Sequence, residues 1–142
     1  DVGCGEGWIA NTLKDRCKEV IGVDYSEEAI GILKSHYPDL EGHHMTATNL
    51  LFPPGRFDRV LCFELVEHFT ILQARRAVDE VHRVLKRGGM IIGSTPIVNS
   101  RPSTPSTYSH IHEYSEPELR ELLGRFTDVE FSQNNLFVGR KT

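Results

Sequence analysis

Apolar residues along this chain fall into two alternating patterns. The first consists of short continuous runs, which are typical of buried strands, at residues 19–24, 57–63 and 90–95. Residues 41–47 form a weaker run, because two histidines and a threonine dilute its apolar character. The chain is therefore predicted to contribute these four strands to one sheet.

The second pattern is helical spacing, which separates the strands and predicts four helices. The first helix covers residues 8–16, and the second begins at Ser26, a preferred N-cap residue. The longest covers residues 71–87 and is predicted to end at the glycine pair 88–89. The fourth begins with a capping box at Ser115. Strands that alternate with helices are typical of a parallel sheet covered on both faces.

The C-terminal part predicts an antiparallel hairpin. Apolar residues at 129–132 and 136–139 flank Asn134 and Asn135, and asparagine tolerates the positive φ of a tight turn. The predicted fold class is therefore α/β. It has a doubly wound, mostly parallel sheet, helices on both faces and a C-terminal antiparallel hairpin.

One long connection has no predicted structure. Residues 96–109 are rich in Ser, Thr and Pro and show no periodicity. A connection of this length is unusual in a compact domain, and such loops often act as lids or binding loops, although some are merely disordered.

Glycines recur on alternate positions at Gly3, Gly5 and Gly7. Without Cβ atoms this turn can take positive φ and approach a ligand closely, and a predicted helix follows it directly. The spacing alone is as typical of a plain tight turn as of a cofactor site. Such turns normally follow a hydrophobic strand, but only Asp1 and Val2 precede this one. We therefore expect the first strand to be largely missing.

Composition and charge narrow the possible functions. The 142 residues are 39% hydrophobic and 25% charged, which fits one globular domain over residues 1–142. The net charge of −4 disfavours a nucleic-acid partner, and no apolar run is long enough to predict a membrane span. Three cysteines without CxxC spacing are typical of free thiols in a reducing compartment, so a cytoplasmic location is expected. The pattern predicts no particular oligomeric state.

Candidate functional residues follow the predicted strands at one edge of the sheet. The glycine turn follows Val2, Asp24 ends the run at 19–24, and Glu64 follows the run at 57–63. Ligands bind at the carboxyl ends of strands in open α/β sheets, so these positions favour a cofactor site over a plain turn.

Four ordered motifs resemble the class I S-adenosylmethionine-dependent methyltransferases, which have a Rossmann-like fold. The motifs lie at residues 1–7, 20–24, 57–68 and 85–92, and the resemblance covers nearly the whole chain. It implies a methyltransferase that uses S-adenosylmethionine. NAD binding is the competing possibility for this fold, but its usual GxGxxG spacing differs from the GxGxG found here.

The resemblance also implies which residues contact the cofactor. Asp24 would accept hydrogen bonds from both ribose hydroxyls, and Asp1 would stand near the amino group of the methionine part. Thr46 stands where many members carry an acid that binds adenine, so this contact would fall to backbone groups of Ala47. The full implied set is Asp1, Gly3, Gly5, Gly7, Asp24, Tyr25, Thr46, Ala47 and Phe63.

Acidic and imidazole side chains are concentrated directly after residues 57–63. Glu64 and Glu67 are three positions apart, so one helical turn would place both carboxylates on one side, with His68 adjacent. These side chains suit a divalent metal such as magnesium. The run resembles the metal-binding Glu-x-x-Glu-His of two subfamilies, the ubiquinone-pathway O-methyltransferases and the small-RNA 3′-terminal 2′-O-methyltransferases. The latter carry a further histidine, and His110 falls at its position.

The same residues have a metal-free interpretation, in which His68 or His110 is the catalytic general base. Three function hypotheses remain. The first is methyl transfer to a small-molecule acceptor, with oxygen the expected acceptor atom. The second is metal-dependent RNA 2′-O-methylation, and the third is a cofactor-binding module without activity.

Overall fold

A computed structural model describes residues 1–98 and 109–142. Residues 99–108, most of the predicted loop at 96–109, lie outside the described residues. None of the described helices is long and apolar enough to cross a membrane. In chain order, the elements are α1 (Trp8–Leu13), β1 (Ile21–Asp24), α2 (Glu27–His36), β2 (Glu41–His44), β3 (Phe57–Phe63), a short 3-10 helix (Val66–His68), α3 (Ile71–Val84), β4 (Leu85–Ser94), α4 (Glu116–Leu122), β5 (Thr127–Phe131) and β6 (Leu136–Arg140).

Parallel pairing is found where strands and helices alternate. β1 pairs in parallel with β2, and β3 pairs in parallel with β4. β6 is antiparallel to both β4 and β5, which gives the strand order β3-β4-β6-β5. Asn135 in the β5–β6 turn has a φ of 59°, as the hairpin prediction requires.

Asp1 and Val2 lie between β1 and β3 and join the two groups of strands. Val2 forms a parallel bridge with Val23, and its N–H donates to the Leu61 carbonyl at 2.9 Å. The Val23 N–H donates to the Asp1 carbonyl at 2.8 Å. These two residues therefore occupy a central strand position and hold the glycine turn at its carboxyl end.

The helices pack in two separate buried clusters. α1 and α2 contribute Ala10, Ile30 and Leu33 to the smaller cluster. α3 and α4 pack with the strands in the larger one. The predicted N-cap at Ser26 and the capping box at the start of α4 are both present. The structure confirms the predicted α/β class, with parallel pairing and a C-terminal antiparallel hairpin.

α3 ends at Val84, earlier than the predicted end at residue 87. Leu85 is already extended, with a φ of −70° and a ψ of 141°, and it belongs to β4. Carbonyls at the helix end accept from the N–H groups of Gly55 and Arg56 and from the Lys141 ammonium. These long-range donors satisfy carbonyl groups that have no partner within the helix, so α3 ends before the glycine pair.

The cysteines are free, as predicted, and two of them are shielded from reaction. Burial raises the pKa of the Cys62 thiol to about 12. It also raises the pKa of Cys4 to about 11, with a further contribution from the Asp24 carboxylate. Neither thiol is therefore an effective nucleophile at neutral pH, because thiolate is the reactive form.

A groove of about 740 Å³ lies at the amino ends of β1 and β3, where Val20, Ile21, Phe57 and Arg59 line it. Ligand sites of parallel sheets lie at the opposite, carboxyl ends of the strands. Most of the groove therefore lies away from the candidate site described below, although Asp1 lines the groove and also belongs to that site.

Gly93 lies in β4 between β3 and β6, where a side chain has no room. An added Cβ would clash with the Cys62 carbonyl oxygen and the Phe137 ring. We expect Gly93→Ala to lower the free energy of unfolding by about 1–3 kcal/mol or more, because neighbouring groups must shift. In the control Gly31→Ala, the Cβ meets open space in α2, and stability should rise by about 0.5–1 kcal/mol. Urea unfolding measures both, and equal stabilities would contradict the packing.

Candidate functional site

The glycine turn has a left-handed backbone at all three glycines. The φ values are 78° at Gly3, 52° at Gly5 and 85° at Gly7, in a region that favours glycine. An added Cβ would lie 2.8 Å from Leu65 at Gly3 and 2.7 Å from Leu33 at Gly7, but it would meet nothing within 4 Å at Gly5. Gly3 and Gly7 are therefore packed against the protein, whereas Gly5 faces open space that a ligand can approach.

The Asp24 carboxylate joins the end of β1 to this turn. Its Oδ2 accepts from the Gly5 N–H and its Oδ1 from the Ser26 N–H, both at 2.8 Å. The residue is 8% exposed. An ionised carboxylate has about four lone-pair positions, so both oxygens keep capacity for another donor. Asp24 thus fixes the shape of the turn and retains the acceptors that the predicted ribose contact requires.

The other predicted cofactor residues lie around the same edge of the sheet. Tyr25 directly follows Asp24 and is 80% exposed. Thr46 and Ala47 follow β2, and Phe63 ends β3. Thr46 is exposed and its hydroxyl lies 3.0 Å from that of Thr48, whereas the Ala47 side chain is buried.

Asp1 carries an unsatisfied acceptor. Within residues 1–98 and 109–142, its Oδ2 atom is buried and has no hydrogen-bond partner. A buried carboxylate oxygen without a donor costs free energy, so an amino group of a bound ligand would stabilise it. This orphaned oxygen and the open face of Gly5 fit the methionine part of S-adenosylmethionine.

Glu64 does not share the geometry predicted for it. Its φ of 46° is left-handed, and the helical turn begins only at Val66. The side chain is exposed and accepts from the Ser94 hydroxyl. Because the chain bends at Glu64, this residue is not one of the three side chains that come within ligand distance of one another, and its place among the metal ligands stays a prediction.

Glu67 is buried completely. Its Oε2 accepts from the Thr95 hydroxyl at 2.9 Å, while its Oε1 has no partner among the described residues. Burial, the largest cause, and the charge of Glu64 raise the pKa of Glu67, although the Thr95 bond and His68 oppose them. The environment therefore favours either a proton or a cation at this carboxylate.

His110 comes from a distant part of the chain to meet Glu67 and its neighbour His68. One ligand atom from each of the three side chains lies within 4.8 Å of the others. The Glu67 carbonyl accepts from the N–H groups of Ile111 at 2.7 Å and His112 at 3.1 Å, which holds the segment before α4 over the 3-10 helix. The sequence-based set is thus brought together apart from Glu64.

Sequence reasoning missed two residues that support this cluster. Thr95, directly after β4, binds Glu67, and Glu113 Oε1 lies 2.9 Å from His110 Nδ1. The spacing His-x-x-Glu signals the second contact, because it is a short-range i,i+3 pair. No comparable local signal exists for Thr95, since 28 residues separate it from Glu67.

The donor set suits a divalent cation. It consists of a carboxylate oxygen without a partner and two imidazoles, which bind transition metals and zinc readily. The orphaned Glu67 Oε1 is the observation that favours a cation, because the buried charge has no positive neighbour at hydrogen-bond distance among the described residues.

Comparison with known proteins identifies the family. A family model described as "Methyltransferase domain" matches residues 1–93. A probable S-adenosylmethionine-dependent methyltransferase of Mycolicibacterium smegmatis is 33% identical over 126 residues, which cover 87% of this chain and 48% of that protein. The chain belongs to the class I S-adenosylmethionine-dependent methyltransferases, as its motifs predicted.

Two further comparisons concern a named activity and the fold. The ubiquinone biosynthesis O-methyltransferase of Pseudomonas paraeruginosa is 30% identical over 107 residues, covering 72% of this chain and 44% of that protein. The crystal structure of an S-adenosylmethionine-dependent methyltransferase from Methanosarcina mazei matches with a TM-score of 0.85 and 21% identity, covering 99% of this chain and 90% of that one. The chain spans about half the length of the curated relatives it matches.

Asp24→Ala should weaken binding of S-adenosylhomocysteine by about 10–100-fold, because hydrogen bonds to a charged group contribute about 1.5–3 kcal/mol. The substitution also frees the Gly5 and Ser26 N–H groups, so a control for local destabilisation is needed. Ser26→Ala removes the α2 cap at a cost of about 1 kcal/mol and leaves the carboxylate in place. Calorimetry should show near-normal affinity for the control, and equal losses in both variants would contradict a direct contact.

Proposed function

We propose that this chain binds S-adenosylmethionine at the glycine turn and catalyses transfer of its methyl group to an oxygen atom of a small molecule. One observation carries the proposal, the convergence of Glu67, His68 and His110 within 4.8 Å at the carboxyl edge of the sheet. The contact between Leu65 and Gly3 places this segment beside the turn. A relative named as an O-methyltransferase supports oxygen as the acceptor atom.

The cofactor roles divide between backbone and side chains. Bound S-adenosylmethionine supplies a methyl group that is already activated on a sulfonium. In the proposal, Gly3, Gly5 and Gly7 allow close approach of the backbone, and Asp1 accepts from the amino group through its orphaned Oδ2. Asp24 accepts from the ribose hydroxyls.

The remaining proposed contacts lie around the adenine. Exposed Tyr25 covers the ring from the end of β1, while Thr46 and the backbone of Ala47 border it after β2. Phe63 contacts the cofactor from the end of β3. The protein then mainly aligns the acceptor oxygen and excludes water, because a displacement at an activated methyl group needs little else.

A hydroxyl acceptor must lose a proton, and the cluster is placed to promote that loss. Glu67, His68 and His110 are the residues that would hold a divalent ion, and their two imidazoles favour a transition metal over magnesium. Such an ion would supply Lewis acidity that lowers the pKa of a neighbouring hydroxyl. Without an ion, His68 or His110 is the candidate general base, since either imidazole can accept the proton.

The direct test is methyl transfer by the purified chain to acceptors of similar size that carry a hydroxyl, an amine or a thiol. We expect S-adenosylhomocysteine to form with the hydroxyl compounds. A short RNA with a free 3′ end is the fourth arm, and the net charge of −4 predicts neither salt-dependent binding nor methylation of it. Methylation of RNA or of amines alone would contradict the proposal. Cofactor binding without turnover on any acceptor would favour the inactive module.

Glu67→Gln tests the divalent ion. Loss of a residue that only supports a metal ligand costs about 10–100-fold in metal affinity. Loss of the charged ligand itself should weaken Mn²⁺ binding by at least this factor. Glu64→Gln is the matched control, because this exposed acid lies outside the cluster and acts on Glu67 only through its charge, so Mn²⁺ affinity should fall much less than in Glu67→Gln.

Calorimetry with Mn²⁺ and activity in a chelator are the two measurements. An enzyme that is fully active in the chelator would overturn the metal role and leave His68 or His110 as the base. Equal effects of the two substitutions would show that only total negative charge matters.

A further inference from the structure

His110 contacts a buried carboxylate to which the proposed chemistry gives no role. Glu113 Oε1 lies 2.9 Å from His110 Nδ1, and the two side chains are only 3% and 12% exposed. We propose that Glu113 is a positioning residue that holds the His110 ring with its hydrogen on Nδ1 and its lone pair on Nε2. The inference rests on the proposed function, because it explains how His110 is presented to Glu67 and His68.

The two histidines of the cluster are held in the same way. His68 Nδ1 lies 2.9 Å from the Ser109 carbonyl, which can only accept, so Nδ1 must carry the hydrogen. An ionised Glu113 carboxylate likewise accepts from His110 Nδ1. In a neutral imidazole, both contacts leave the lone pair on Nε2, the form that binds a metal or takes a proton.

Backbone and side chain have separate tasks at His110. Hydrogen bonds from the Ile111 and His112 N–H groups to the Glu67 carbonyl fix where the segment lies. They do not fix the rotation of the His110 ring. The ring lies 5.3 Å from that of His68, centroid to centroid and nearly perpendicular. The Glu113 contact at Nδ1 restrains its rotation.

Burial makes a purely structural role for Glu113 costly. Removing a carboxylate from water costs several kcal/mol, and apolar replacements of buried ion pairs are often neutral or stabilising. Acceptors that orient ligating histidines are the usual exception, since their loss costs about 10–100-fold in metal affinity or activity.

A second His–Glu pair in the same segment provides the matched control. His112 Nε2 lies 3.8 Å from Glu118 Oε1, and the Glu118 side chain is 38% exposed. Glu118 also accepts from the Ser115 N–H at the start of α4. Glu118→Gln removes a carboxylate facing a histidine but keeps the capping function, because Gln serves equally well in a capping box.

The binding experiment compares Glu113→Ala, Glu113→Gln and Glu118→Gln in the full chain. Mn²⁺ affinity should fall about 10–100-fold in Glu113→Ala, fall less in Glu113→Gln, whose amide oxygen still accepts, and stay unchanged in Glu118→Gln. Affinity for S-adenosylhomocysteine should be unchanged in all three. Wild-type Mn²⁺ affinity in Glu113→Ala would overturn the proposal.

Imidazole nitrogen NMR at pH 8 without metal separates this inference from the metal itself. The His110 signals should report a hydrogen on Nδ1 in the wild type, and Glu113→Ala should shift the hydrogen toward Nε2. If Glu113→Ala does not fold, Glu113→Gln should show a partial shift. An unchanged tautomer in the folded variants would overturn the positioning role. Loss of the tautomer preference in a chain that binds no Mn²⁺ would support Glu113 and reject the metal.

Discussion

The site depends on two residues placed between strands that would otherwise be separate. Asp1 and Val2 hydrogen-bond to β1 through Val23 and to β3 through Leu61, and these bonds close the gap in the sheet. Once they lie there, the glycine turn must emerge at the carboxyl edge, where Asp24 secures it by accepting from the Gly5 N–H. Backbone pairing thus determines the position of the turn, and one carboxylate determines its shape.

The cluster of Glu67, His68 and His110 depends on the burial of Glu67. Glu67 is withdrawn from solvent, and Thr95 satisfies only one of its oxygens among the described residues. The same residue binds the segment before α4 through its carbonyl, so the backbone group that brings His110 close belongs to the acid that needs a positive partner. Glu67 therefore has two effects: its carbonyl brings the segment with His110 close, and its buried carboxylate favours a cation there.

Local patterns in the sequence were sufficient for the order of elements, the caps of α2 and α4 and the hairpin turn at Asn135, because each depends on neighbouring residues. They were insufficient where residues far apart in the sequence, or an unusual backbone conformation, determine the structure. α3 ends at Val84 because the Gly55 and Arg56 N–H groups reach its last carbonyls. Glu64 leaves the predicted cluster because its backbone is left-handed. Motif resemblance anticipated that His68 and His110 would meet, although no local pattern could.

Backbone hydrogen bonds attach the chain to the rest of the fold on both sides of residues 99–108. This has a consequence for how such proteins diversify. On one side the Val98 N–H donates to the Tyr114 carbonyl, and on the other the segment around Ile111 is bonded to Glu67. Both ends of the connection are thus attached to described parts of the fold. A relative that keeps these two attachments could carry a connection of another length and still hold the segment around Ile111 against Glu67.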